Sequence, residues 1–96
     1  MTRIIVEIII WDNWNRKYIK KHKVSIDEVE RAGRNLRYHK HTYGGRYVFV
    51  GRSGKRILSV VIKRKQLKTY YVVTARDADK KERRRLYEKE KQNTKI

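Results

Sequence analysis

No cysteine and no proline occur in the 96 residues, glycine appears five times, and ten Asp and Glu stand against twenty-seven Lys and Arg. Without cysteine there is no disulfide framework, thiolate metal site or thiol redox chemistry, and a cytoplasmic location fits that composition. Without proline, no helix or strand has to break on that account. Long apolar runs are missing too. The longest, from Ile4 to Trp11, is too short to cross a bilayer and carries Glu7 in its middle, so it is not a membrane span. No small-residue cleavage site follows it, so a signal peptide is not expected. The shortage of acid leaves a formal charge of +17. A surface that positive repels itself unless a polyanion is near, which makes RNA or DNA the partner that composition points to, with an inert basic surface as the alternative. Counterion release would supply much of the attraction. It gives affinity without specifying chemistry.

What apolar content there is, 39% of the chain, is clustered enough for one small core, hence one domain over residues 1–91 with a frayed tail at 92–96. Residues 3–10 are β-branched and bounded by turn formers, the pattern of a strand buried on both faces. Trp14, Tyr18 and His22 recur every four residues beside Ile19, predicting a first helix with a stripe of those side chains and Asp12 or Asn13 as N-cap; Trp11 and Trp14 are expected in the core. Ser25 with Glu28 three residues on forms a capping box for a second helix ending near Gly33, with Val24 stapled to Val29. Strand periodicity follows at 36–42, 46–50, 56–62 and 69–75, and Gly44-Gly45 and Ser53-Gly54 suit tight hairpin turns. The connection at 63–68 lacks glycine. Asp79 and Glu82 repeat the capping pattern before a last helix running to about Lys91. The expected fold is α+β: an antiparallel sheet of four to five strands, two N-terminal helices and one C-terminal helix.

Several blocks in this order resemble the BrnT family of toxins. They are Trp11-Asp12, Lys21-His22 before the Val-Ser-x-x-Glu helix start, Tyr43-Gly44-Gly45-Arg46-Tyr47, Gly51-Arg52-Ser53, and Thr74-Ala75-Arg76 leading to Glu82-Arg83-Arg84. The resemblance covers roughly residues 8–88. It implies a compact ribonuclease of the RelE-like class, held inactive by a cognate antitoxin that joins an acidic masking segment to a dimeric DNA-binding region. The complex of such a pair commonly represses its own operon. Two departures stand out. Gly44 and Gly45 lie where many members carry an acid before the arginine matched by Arg46, and the segment between Gly33 and Tyr43 lacks the acidic or proline-containing stretch frequent in the family. Neither a Glu–Arg partnership nor a substrate preference is therefore carried over.

Cutting RNA without a metal requires a base for the 2′-hydroxyl, stabilisation of charge on the phosphate, and an acid for the leaving oxygen. Arginine suits the second task, because its planar fork takes two phosphate oxygens and keeps its charge. Arg52 and Arg76, each at the end of an expected strand, lead the catalytic candidates, with Arg46 third; each reads equally as a solvated or phosphate-positioning charge. His22, matched by the resemblance, is a candidate general base because imidazole titrates near neutrality, or else it caps the end of the first helix. Lys21 is the other possible base if burial lowers its pKa. His39 and His41 share one face of a strand without a third ligand, so no metal and no cofactor are expected. Lys21, Lys55, Arg56, Lys63, Tyr43, Tyr71 and Arg83 are the expected RNA contacts, the tyrosines stacking on bases unless they pack in the core. Gly51-Arg52-Ser53-Gly54-Lys55 is not a phosphate loop, because its glycine spacing is wrong. The reading is a metal-independent endoribonuclease with RNA and an antitoxin as partners; the alternative is a noncatalytic nucleic-acid-binding protein using the same surface.

Overall fold

Alternating β-branched and aromatic residues from Leu36 onward build a meander of four antiparallel strands in a computed structural model that describes residues 4–42 and 44–94. These are β2 (Leu36–Thr42), β3 (Arg46–Ser53), β4 (Arg56–Gln66) and β5 (Thr69–Asp77). Gly44, Gly45 and Gly54 supply positive φ in the first two hairpin turns. The third turn, Leu67–Lys68, manages without glycine: Lys68 itself takes φ 65. β4 and β5 accordingly run further than residues 62 and 75.

Before the meander come β1 (Ile8–Ile10), α1 (Asn13–Lys21) and α2 (Ile26–Arg34); after it comes α3 (Lys80–Thr94). The α+β class with two N-terminal helices and one C-terminal helix is as expected. The sheet differs in one respect. Its order is β1-β5-β4-β3-β2, and β1 pairs with β5 in parallel, so the five-stranded sheet is mixed rather than antiparallel. The helices α1 and α2 carry the chain over one face from the β1 edge to the β2 edge, a crossover that leaves β1 pointing along β5. Nor is β1 buried on both faces. It is three residues long: Ile9 turns toward the main core and is half-buried, whereas Ile8 and Ile10 turn to the opposite face and are exposed. Arg3, the expected start, lies outside the described residues.

Both N-terminal helices begin on reciprocal caps. Asp12 accepts the backbone N–H groups of Trp14 and Asn15 while the Asn15 side chain accepts from Asp12, and Ser25 and Glu28 do the same for α2. The phase of α1 departs from the expected stripe. Its buried residues are Asn15 and Ile19; Trp14, Tyr18 and His22 face solvent. Asn15 can be buried because its amide donates to the Ile10 carbonyl at 2.8 Å and its oxygen accepts from the Asp12 N–H at 2.8 Å. Trp11 is half-buried and donates from Nε1 to Glu30 at 3.1 Å. Trp14 is not in the core.

The main core lies between the α1–α2 layer and one sheet face, around Ile19, Val29, Phe49, Leu58, Val60, Ile62 and Val72. Gly51 sets the closest approach: a Cβ there would stand 2.1 Å from the Ala32 carbonyl oxygen, so only glycine lets α2 lie on β3. On the opposite face, α3 seats Leu86 against Tyr38, Val50, Ile57 and Ala78. The helix continues to Thr94, past the expected fraying point at Gln92.

Candidate nucleic-acid interface

The face under α3 holds the two leading arginines. Pairing aligns Tyr38, Val50, Ser59 and Arg76 across four strands. Arg52, two residues beyond Val50 on β3, projects on the same side. Each guanidinium is already gripped by a carboxylate from α3. Arg52 donates to both oxygens of Glu90, at 2.5 and 3.0 Å, and Arg37 adds a contact to the same carboxylate at 2.9 Å. Arg76 donates to the two oxygens of Glu82 at 3.0 and 3.3 Å, and Ser59 Oγ joins at 2.9 Å. Glu82 also closes the cap of α3 by accepting the Asp79 N–H. Hydrogen bonds from Arg52, then Arg37, pull the Glu90 carboxyl down to about 2 against an opposing effect of burial, while Glu90 in turn raises Arg52.

Glu82, Leu86 and Glu90 fall at four-residue spacing and so form the stripe that docks α3. Tyr38 Oη donates to the Glu82 carbonyl, and the Arg85 guanidinium lies 5.2 Å from the Tyr38 ring centroid. Burial, before any charge, raises the Tyr38 hydroxyl. Glu82, Glu90, Arg37 and Ser59 were absent from the sequence-level site. The available signal was the 82/86/90 spacing on α3, which shows only once Leu86 is known to be buried.

Beyond α3 the same face is open. The next rows along the strands are Lys40, Val48, Val61 and Thr74, then Thr42, Arg46, Lys63 and Tyr71. Val48, Val61 and Thr74 form a half-buried floor, and Lys40, Arg46 and Lys63 are exposed around it. Arg46 sits opposite Lys63 and has no hydrogen-bond or ion-pair partner among the described residues. Six steps along β3 separate it from Arg52, roughly 20 Å at about 3.3 Å per residue. Tyr71 donates to Asp12 at 3.1 Å, and Lys65 Nζ lies 5.8 Å from its ring centroid. Burial, followed by the bond to Asp12, raises its hydroxyl. Tyr43 lies outside the described residues.

The remaining expected site residues gather elsewhere. Arg56 grips Asp77 at 2.7 and 3.2 Å, Glu28 at 2.9 and 3.1 Å, and the carbonyls of Lys23 and His22. Asp77, then Glu28, raises its guanidinium, which is tied down as a clamp between β5 and the α1–α2 junction. His22 is the C-cap of α1, with an exposed ring that makes no hydrogen bond among the described residues; its carbonyl accepts from Arg56, which also grips Asp77, the residue after Arg76. Lys21 stands over the Tyr18 ring at 5.0 Å, Lys55 occupies the exposed β3–β4 turn, and Arg83 reaches the Ala78 carbonyl at 3.4 Å. The sequence-level set therefore splits into an α3 group, an open-face group and a group at the helix junction.

Among the described residues no three His, Cys, Asp or Glu side chains cluster as a metal site, and no helix is long and apolar enough to cross a membrane. A mixed sheet edged by a parallel β1, with two helices on one face and one on the other, has a counterpart among solved structures. The fold matches that of BrnT, the ribonuclease toxin of Brucella abortus. The TM-score is 0.60 at 22% identity, over 77% of this chain and 100% of that one. No protein-family model and no curated protein matches the sequence. Against BrnT the likeness is one of fold: the same α+β architecture carries the arginine forks and open basic face described above.

Proposed function

We propose that this protein is a ribonuclease toxin: a metal-independent endoribonuclease of the RelE-like class, cytoplasmic and held in check by an antitoxin. The observation that carries the reading is the pair of arginine forks, each already holding both oxygens of a carboxylate. A bidentate grip on a carboxylate has the geometry needed for two phosphate oxygens, and rigid strands aim both guanidiniums to one side. Charge that builds on a scissile phosphate would be met there by strand-held cations once the phosphate displaces Glu82 and Glu90 from them. The open rows with Lys40, Arg46 and Lys63 would track the backbone on either side, and an acidic antitoxin segment would cover the same face. Likeness of fold to a ribonuclease toxin supports the class of activity.

One observation favours the second reading, a noncatalytic nucleic-acid-binding protein. The ring of the histidine expected to act as base, His22, makes no hydrogen bond to either fork, which leaves proton transfer without an imidazole joined to them. Incubation of the protein with mixed cellular RNA, with and without EDTA, separates the two. Cleavage that persists in EDTA and falls about 10²–10³-fold in R52A/R76A is the expected result. R52K and R76K, which keep the charge facing Glu90 and Glu82 but lose the planar fork, should lose most of the same activity with α3 still docked. Intact RNA under all conditions, together with tight binding, would leave the binding protein.

A further inference from the structure

The aromatic residues that break the expected pattern of α1 form a surface of their own. Trp14 is 68% exposed and Tyr18 45%, one helical turn apart and so on the same side of the helix. With Lys17, Lys20 and Lys21 they line a concavity of about 430 Å³, within the roughly 300–1,000 Å³ of ligand clefts. Lys21 Nζ lies 5.0 Å from the Tyr18 ring centroid. No acid occurs between Asn13 and Lys21, and the carboxylate of Asp12 is taken up by Trp14, Asn15 and Tyr71. The surface is thus aromatic faces set among ammonium groups, with one carboxylate, Asp12, at its N-terminal margin, where it is occupied by the N–H groups of Trp14 and Asn15 and the Tyr71 hydroxyl.

We propose that this face of α1 is a stacking site for unpaired bases of single-stranded RNA, separate from the arginine forks. It rests on the reading of RNA as the bound partner, cleaved or not. Rings can take base faces in any sequence, while the lysines meet the flanking phosphates. Duplex RNA keeps its base faces stacked on one another and has none to present. An apolar protein partner would have to bury ammonium groups without counter-charge. Continuity argues for an extended polyanion: Tyr71 lies in the last row of the open sheet face and its hydroxyl reaches Asp12 at the start of α1, so the two basic surfaces adjoin. A strand held across Lys63 and Tyr71 would pass onto Trp14.

The test uses a 2′-O-methyl oligouridylate, which lacks the hydroxyl needed for cleavage, and a hairpin duplex of equal length. Exposed positions can be changed without loss of fold, checked by thermal unfolding. Removing either ring, in W14A or Y18A, should weaken single-strand binding roughly tenfold and leave the hairpin within about twofold; W14F should bind as the parent does. Tryptophan fluorescence should be quenched by the oligouridylate in the parent and not in W14A. Unchanged single-strand affinity in W14A/Y18A, equal losses on strand and hairpin, or tight capture of a glutamate-rich peptide with no ring dependence for RNA would each overturn the stacking site. Ring-dependent binding without any cleavage of ordinary RNA would sink the ribonuclease and keep the site; cleavage with ring-independent binding would do the reverse.

Discussion

A cation in so basic a chain is not automatically a surface for ligand, and Arg56 makes the point. Its guanidinium closes a network among Asp77, Glu28 and two carbonyls at the end of α1, so its charge is spent on assembly. Glu90 is the opposite case, an acid whose role depends on two arginines. Its folded pKa of about 2 lies below the ordinary 4.5. A depressed carboxylate stabilises the fold above its unfolded pKa and loses that contribution as pH falls through the folded value. We therefore expect the stability gap between the parent and E90Q to hold from neutrality to about pH 4.5 and to close between there and about pH 2. The gap should be on the order of 1–2 kcal/mol, since the pair is partly solvated. Denaturant unfolding of both proteins across that range checks it. A gap that widened in acid would contradict the ion pair.

At the scale of elements, the contact between α2 and β3 depends on a missing side chain. G51A would drive a methyl group into the Ala32 carbonyl, and neither backbone can yield without shifting a helix or a central strand. A loss of roughly 2–3 kcal/mol is expected; G54A, at a turn with open space around it, should cost less and do so through its positive φ. Thermal unfolding of the two variants side by side makes the comparison. Helix starts were readable from sequence because a cap is local: Ser25 and Glu28 are three residues apart, as are Asp79 and Glu82. The phase of α1 was not. Trp14-Tyr18-His22 and Asn15-Ile19 have the same period, and apolar character chose the wrong one because burial of Asn15 depends on the Ile10 carbonyl of β1, which accepts from its amide. Strand-end arginines were legible for the same reason as the caps. Their partners were not, since Arg52 and Glu90 are 38 positions apart and meet only after α3 has docked. The direction of β1 was hidden likewise, its partner being settled by the whole crossover rather than by its own residues.

Across the whole molecule the few acids are mostly engaged by partners within the chain. Glu7 pairs with Lys68, Asp12 and Asp79 cap helices, Glu30 takes the Trp11 N–H, and Glu28, Asp77, Glu82 and Glu90 hold arginines. The surface left to solvent is more uniformly positive than the formal +17 conveys. If six or more phosphates are engaged, affinity for single-stranded RNA should fall by roughly 300-fold or more between 50 and 200 mM salt. A titration of binding against salt that came out flat would remove the electrostatic basis of the interaction. The edge strand carries one more consequence, in the order of assembly. Each strand of the meander meets a partner next to it in sequence, across a short turn, whereas Ile8 of β1 pairs with Thr69. Closing that long loop has the largest entropic cost in the sheet, and its return is a ladder of three residues. The first strand in the chain is thus the last that folding has reason to fix.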